Sequence, residues 1–205
     1  MPEIKDATAV VASVAELGLL FLSDPKRSNA IQILTGEFPR GSWWSHPRAH
    51  EIYDVLQIVE RHPDVLFAKL LAGKVTLIHR ALWPALLAVV TAREPWQLEG
   101  LSPGATQALA SLDEAEASAG APPTISRTVT KELEARLLAQ AESVHTSSGK
   151  HETRLRGWKT WAAAAGCPWP PSPPQGPPPI VAEAKQLLED AAARLGPRPP
   201  LPWLA

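Results

Sequence analysis

The placement of proline restricts the fold of this chain more than any other feature. Eight of its 22 prolines fall in the twelve residues 168–179, PWPPSPPQGPPP. Each proline lacks an amide hydrogen and holds φ at about −65°, so such a run can fill neither a helix interior nor a central strand. A stiff, extended polyproline II segment is predicted there. Elsewhere proline is sparse enough for packed structure, and 205 residues are sufficient for one domain with a core plus extra elements, or for two small ones.

The N-terminal stretch MPEIKDATAVVASVAELGLLFLS carries an apolar run, but Glu3, Asp6 and Glu16 stand where a basic leader and an unbroken apolar segment would be needed. Val10, Val14, Leu17 and Phe21 recur at helical spacing and predict a core helix. A short helix, NAIQILTG, should follow and end at Gly36. After the turn-rich EFPRGSWWSHP, Ser45 or His46 can cap a longer helix with Pro47 in its first turn, running to about His62. Ile52, Val55, Leu56 and Val59 form its apolar stripe, and His50, Asp54, Gln57 and Arg61 line the opposite face. DVLFAKLLAGKVTLIH reads as a β-hairpin turning at Ala72-Gly73. That turn would set Leu66, Ala68 and Leu70 opposite His79, Leu77 and Val75, with Lys69, Lys74 and Thr76 on a partly wet face.

Residues 80–92, RALWPALLAVVTA, are apolar all round and predict a buried helix. Ser102 and Pro103 open another in LSPGATQALASLDEAEAS. The expected organisation is a helical domain with one hairpin over 1–118, a linker over 119–126, a helical pair over 127–166, the proline-rich linker over 167–180, and a C-terminal helix and tail over 181–205. In the pair, TKELEARLLAQAESVHT and KHETRLRGWKTWAAAAG are expected as two helices of an αα-hairpin. The fold class is thus mainly α with one β-hairpin. Its order of helix, short helix, longer helix and hairpin is winged-helix-like, with residues 47–61 in the recognition position and Ala72-Gly73-Lys74 at the wing tip.

GSWWSHP, LAGKVTLIHRALWPALL and VHTSSGKHETRLRGWKTW together resemble a set of uncharacterised bacterial proteins, over roughly residues 8–166. The resemblance implies a cytoplasmic bacterial origin and leaves the proline-rich tail as an addition. It carries over no activity and no functional residue.

A formal net charge of −1 gives no bulk attraction for nucleic acid, so such binding must come from a local patch. One cysteine, Cys167, excludes an intramolecular disulfide and a multi-thiolate zinc site, and it fits a reducing cytoplasm. The candidate nucleic-acid-binding set is Arg40, Trp43, Trp44, Arg48, His50, Gln57, Arg61, Lys69 and Lys74. Paired indoles can stack on bases while cations meet phosphates. The plainer role for at least one of the two tryptophans is core packing.

Ser147, Ser148, Gly149 and Lys150, placed before an expected helix, form a candidate anion site at the positive end of its dipole. His46, His50 and Asp54 would share one helical face, with His79 near the hairpin's end, but they match no metal or catalytic motif, and neither metal nor cofactor is expected. Three functions follow as expectations. The first is a nucleic-acid-associated protein of winged-helix type that binds DNA or RNA. The second is a hydrolase or phosphoryl-processing enzyme using histidines 46, 50, 79, 145 and 151. The third is an adaptor that meets a protein partner through residues 181–205 and does not engage a membrane.

Overall fold

The computed structural model describes residues 6–118, 125–145, 151–169, 180–196 and 201–204. The fold is mixed α and β, with a small three-stranded antiparallel sheet and a separate two-stranded one. The chain divides into two compact units, Met1–Trp83 with Lys185–Ala205, and Pro84–Ala184. The expected boundary near residue 118 therefore falls inside the second unit. No helix among the described residues is long and apolar enough to cross a membrane.

The first unit opens with α1, Ala7–Leu17, whose first turn is capped by Asp6 accepting from the Ala9 amide. Gly18, at φ 80°, ends it. Phe21 is therefore not a helical residue as the spacing suggests. It closes strand β1, Leu19–Phe21, in which every side chain is buried. Helix α2, Ala30–Thr35, ends at left-handed Gly36 as read from sequence, and Asn29 caps its start. A 3₁₀ turn over Trp43–Ser45 precedes α3, Ala49–Glu60. That helix starts two residues beyond Pro47 because His46 Nδ1 accepts from the Arg48 amide and holds a turn there.

Strands β2, Val65–Leu71, and β3, Lys74–His79, join at Ala72 and Gly73, both at positive φ as a two-residue type I′ turn requires. The sheet order is β1-β3-β2. The register differs from the sequence expectation by one residue along most of the hairpin: Leu66 faces Ile78 and Ala68 faces Thr76. The cause is a bulge between Lys69 and Leu71. There the Thr76 hydroxyl accepts from the Leu71 amide at 3.1 Å and donates to the Lys74 carbonyl at 3.1 Å. Thr76 is thus fully buried rather than wet.

One core unites α1, α2, α3 and the sheet through Val10, Val14, Leu34, Ile52, Leu56 and Leu77. The C-terminal helix, Val181–Ala193, ends in this unit, with Ala191 brought against Gly18. Its side chains Leu188, Ala191 and Ala192, with Leu195 and Leu201 beyond it, are buried. The tail is fastened by the Trp203 indole donating to Glu189 at 2.8 Å.

The second unit contains α4, Trp83–Thr91, nearly all buried as its composition predicts, then α5, Pro95–Leu98, and α6, Pro103–Ser118. Next come α7, Arg127–Ala135, strands β4, Gln140–His145, and β5, His151–Arg156, and then α8, Trp158–Ala164. The C-terminal helix of the first unit completes the series as α9. The expected αα-hairpin is therefore corrected: its two helices are short, and a second antiparallel β-hairpin stands between them, with His145 opposite His151.

The physical reason lies at the end of α7. Leu137 takes φ 54°, and the Leu138 amide donates back to the Leu133 carbonyl at 2.9 Å, closing the helix as a glycine ordinarily would. Burial of Leu137 and Leu138, and the Trp158 indole donating to the Leu137 carbonyl at 2.8 Å, offset the left-handed conformation. Around this point Ala105, Leu109, Leu112, Leu133, Leu138 and Leu155 make the second unit's core.

Candidate nucleic-acid interface

The tryptophan loop divides its two rings between core and solvent. Trp43 packs against the first unit's core, whereas Trp44 is 54% exposed. The rings stack with centroids 4.1 Å apart at 25°, and Tyr53 of α3 extends the series, 5.5 Å from Trp44. Beside them an open pocket of about 190 Å³ is lined by Phe38, Arg40, Trp43 and His46 among others.

On α3, His50, Glu51, Asp54, Ile58, Glu60 and Arg61 are exposed. Gln57 is half-buried, with its amide turned to Glu60 at 3.2 Å. Arg48 makes a two-pronged pair with Glu51, at 2.9 and 2.5 Å. Its hydrogen bonds hold the Glu51 carboxyl below its ordinary value. Three carboxylates thus share the surface on which the sequence places His50 and Arg61, and Arg48 is committed to one of them.

The structure assembles a basic cluster elsewhere, at the hairpin tip. Asp24, 3% exposed, receives the Lys74 ammonium at 2.8 Å and the amides of Lys26 and Arg27 at 2.9 and 3.0 Å. The Arg27 guanidinium approaches the same carboxylate at 3.8 Å, and Lys74 and Arg27 both lie within 6 Å of the Phe21 ring. Asn29 knits the turn by donating to the Asp24 and Arg27 carbonyls, each at 2.8 Å. Burial by itself pushes the Asp24 carboxyl upward, but the Lys74 hydrogen bond and the two amides outweigh it, and the net direction is down.

Arg27 and Lys74 thereby bring two positive charges to one buried negative, and Lys26, exposed in the same turn, gives that carboxylate its backbone amide. Neither Lys26 nor Arg27 belongs to the binding set expected from the sequence. The signal lay in SDPKRSN, a turn with an aspartate able to accept its own amides. Lys69 lies half-buried in β2 opposite Val75.

Three of the histidines have structural duties. His46, His62 and His79 each use Nδ1 to accept the amide two residues on, from Arg48, Asp64 and Ala81 at 3.1, 3.2 and 3.4 Å. Among the described residues no three His, Cys, Asp or Glu side chains gather closely enough to hold a metal. The anion site's rationale requires a helix opening at Lys150, and His151–Arg156 is a strand, so the dipole argument fails. Ser147, Ser148, Gly149 and Lys150 themselves lie outside the described residues. On α9 Ala184, Leu188, Ala191 and Ala192 are buried, and Leu187 is exposed.

Comparison of the chain with protein-family models, with curated proteins and with solved structures finds no match in any of the three.

Proposed function

We propose that this protein is a nucleic-acid-associated binding protein of winged-helix type that grips the phosphate backbone with the hairpin tip of its first unit. The observation that carries the reading is the gathering of Arg27 and Lys74 around buried Asp24, with exposed Lys26 in the same turn. The order α1-β1-α2-α3-β2-β3, with sheet order β1-β3-β2, supports it, because in a winged-helix reading α3 would be the recognition helix and Lys74 would lie at the wing. Glu51, Asp54 and Glu60 on the exposed part of α3 favour contact with the backbone over reading of base edges, because carboxylates repel a polyanion.

The test is fluorescence-polarisation titration with labelled DNA and RNA, single- and double-stranded, at two salt concentrations. The expected result is salt-sensitive binding whose log–log salt slope falls by roughly 0.7–0.9 for each phosphate contact removed in Lys26→Ala with Arg27→Ala. Arg48→Ala, which removes a cation already neutralised by Glu51, should change the slope little. Absence of binding at low salt, or a slope unmoved by the double substitution, overturns the reading.

A further inference from the structure

Trp43, Trp44 and Tyr53 form a stacked aromatic shelf whose outer ring, Trp44, is more than half exposed, with Phe38, 45% exposed, lining the adjoining pocket. The indole N–H groups of Trp43 and Trp44 donate to no described residue, whereas those of Trp83, Trp96, Trp158 and Trp203 each have an acceptor. A ligand for this shelf must therefore offer flat or ring-shaped apolar groups together with hydrogen-bond acceptors. Its charge is constrained as well. Glu51 and Asp54 are exposed on the helix that carries Tyr53, Arg48 is already paired with Glu51, and the pocket's Glu37 and Arg40 offset each other, so an uncharged ligand suits the shelf better than a polyanion.

We propose that the shelf receives a polyproline II strand, and that the strand is the proline-rich segment 168–179 of a second copy of this chain. In polyproline II no backbone group is bonded internally, so the carbonyls are open to indole donors while pyrrolidine rings lie on aromatic faces. Residues 168–179 meet the charge requirement too: PWPPSPPQGPPP contains no charged side chain. Residues 170–179 lie outside the described part of the chain. Shelf and strand on one chain make a head-to-tail contact, in which each copy offers its segment to the next. The inference uses a different surface from the cationic hairpin tip and stands independently of the nucleic-acid reading.

The experiment uses the full chain and a synthetic peptide of residues 168–179. Indole N–H resonances from the chain's eight tryptophans are followed by NMR, with Trp43→Phe and Trp44→Phe supplying the assignments. In parallel, sedimentation velocity over a range of concentrations measures self-association. The expected result is that the peptide shifts the Trp43 and Trp44 signals and that the chain self-associates. Trp44→Ala should weaken both by about tenfold or more, and a peptide with its prolines replaced by alanine should shift neither signal. Trp44 is exposed, so its substitution should leave far-UV circular dichroism unchanged, which separates lost binding from lost fold. Four results would each overturn the proposal: a monomer at every concentration, peptide binding that appears only after residues 168–179 are deleted, no indole shift with peptide, or shifts at Trp44 produced by oligonucleotide and not by peptide.

Discussion

The two antiparallel hairpins, β2–β3 in the first unit and β4–β5 in the second, are made from opposite kinds of sequence. VLFAKLL and KVTLIH are rich in apolar and β-branched residues. Leu66, Leu70, Leu77 and Ile78 are buried, and β1 supplies a third strand. QAESVH and HETRLR are mostly polar, and their two strands pair only with each other among the described residues. The first hairpin announces itself because burial requires the residues that mark a strand. The second is set by its flanks: Leu137 closes α7, and Gly157 admits α8. A polar strand can thus be created by the termini of its neighbours, with little local signal of its own.

The comparison breaks most visibly at the buried positions. Leu77→Ala, at the centre of the first sheet with no exposure, should cost about 3 kcal/mol through lost burial and a residual cavity. Leu155→Ala, at a buried position of β5 in the second core, should cost about 2 kcal/mol. Denaturant unfolding of each variant measures both, and a loss below about 1 kcal/mol at Leu77 would show that the sheet is not part of the core.

Asp24→Asn should cost about 2 kcal/mol, less than a fully buried pair because Lys74 is 44% exposed. Its pH dependence has a definite sign. The folded carboxyl lies below its ordinary value of 3.8, so the native state binds fewer protons than the unfolded chain near that pH. The stabilisation is complete well above 3.8 and is lost as pH falls through the folded value, so wild type and variant should converge in acid. Thermal melts from neutral to acid pH test this, and a gap that widens in acid would contradict it.

A smaller effect sharpens the account of the second hairpin's exit. A Cβ on Gly157 would collide with the Glu116 carboxylate, which accepts from the Thr160 amide at 2.8 Å and caps α8. Gly157→Ala should displace that cap and cost about 1 kcal/mol, with a change in the near-ultraviolet signal of neighbouring Trp158. The smallest effect has the opposite sign. Ala72 holds φ 53° in the first hairpin's exposed turn, so Ala72→Gly should raise stability by about 0.5–1 kcal/mol. A destabilised Ala72→Gly would mean that unfolded-chain entropy outweighs the relief of strain.

The parts of the fold that were legible follow this rule. The short helix α2 ends at Gly36 as its sequence indicates. Ser102 and Pro103 open α6, and the Ala72-Gly73 turn lies where the flanking apolar runs demand it. The candidate site was legible in composition and much less in arrangement. The tryptophan pair could be marked as a place where at least one ring packs, because an indole brings a large apolar area to bury. Arg48 could not be seen to spend its charge on Glu51, nor Lys74 to reach Asp24 beside Arg27, since the last contact spans fifty residues and depends on the β1–β3 pairing.

By itself, the amino-acid sequence determined the apolar helices, the first hairpin with its turn, and the uncharged proline segment, because local spacing and backbone chemistry act within a few residues. Tertiary structure alone decided the bulge that shifts the β2–β3 register, the second hairpin, the return of the C-terminal helix to the first unit, and the gathering of cations around Asp24. Each of these depends on which distant group is at hand to accept a buried hydrogen bond, fill a core or balance a charge, and local spacing does not encode that choice.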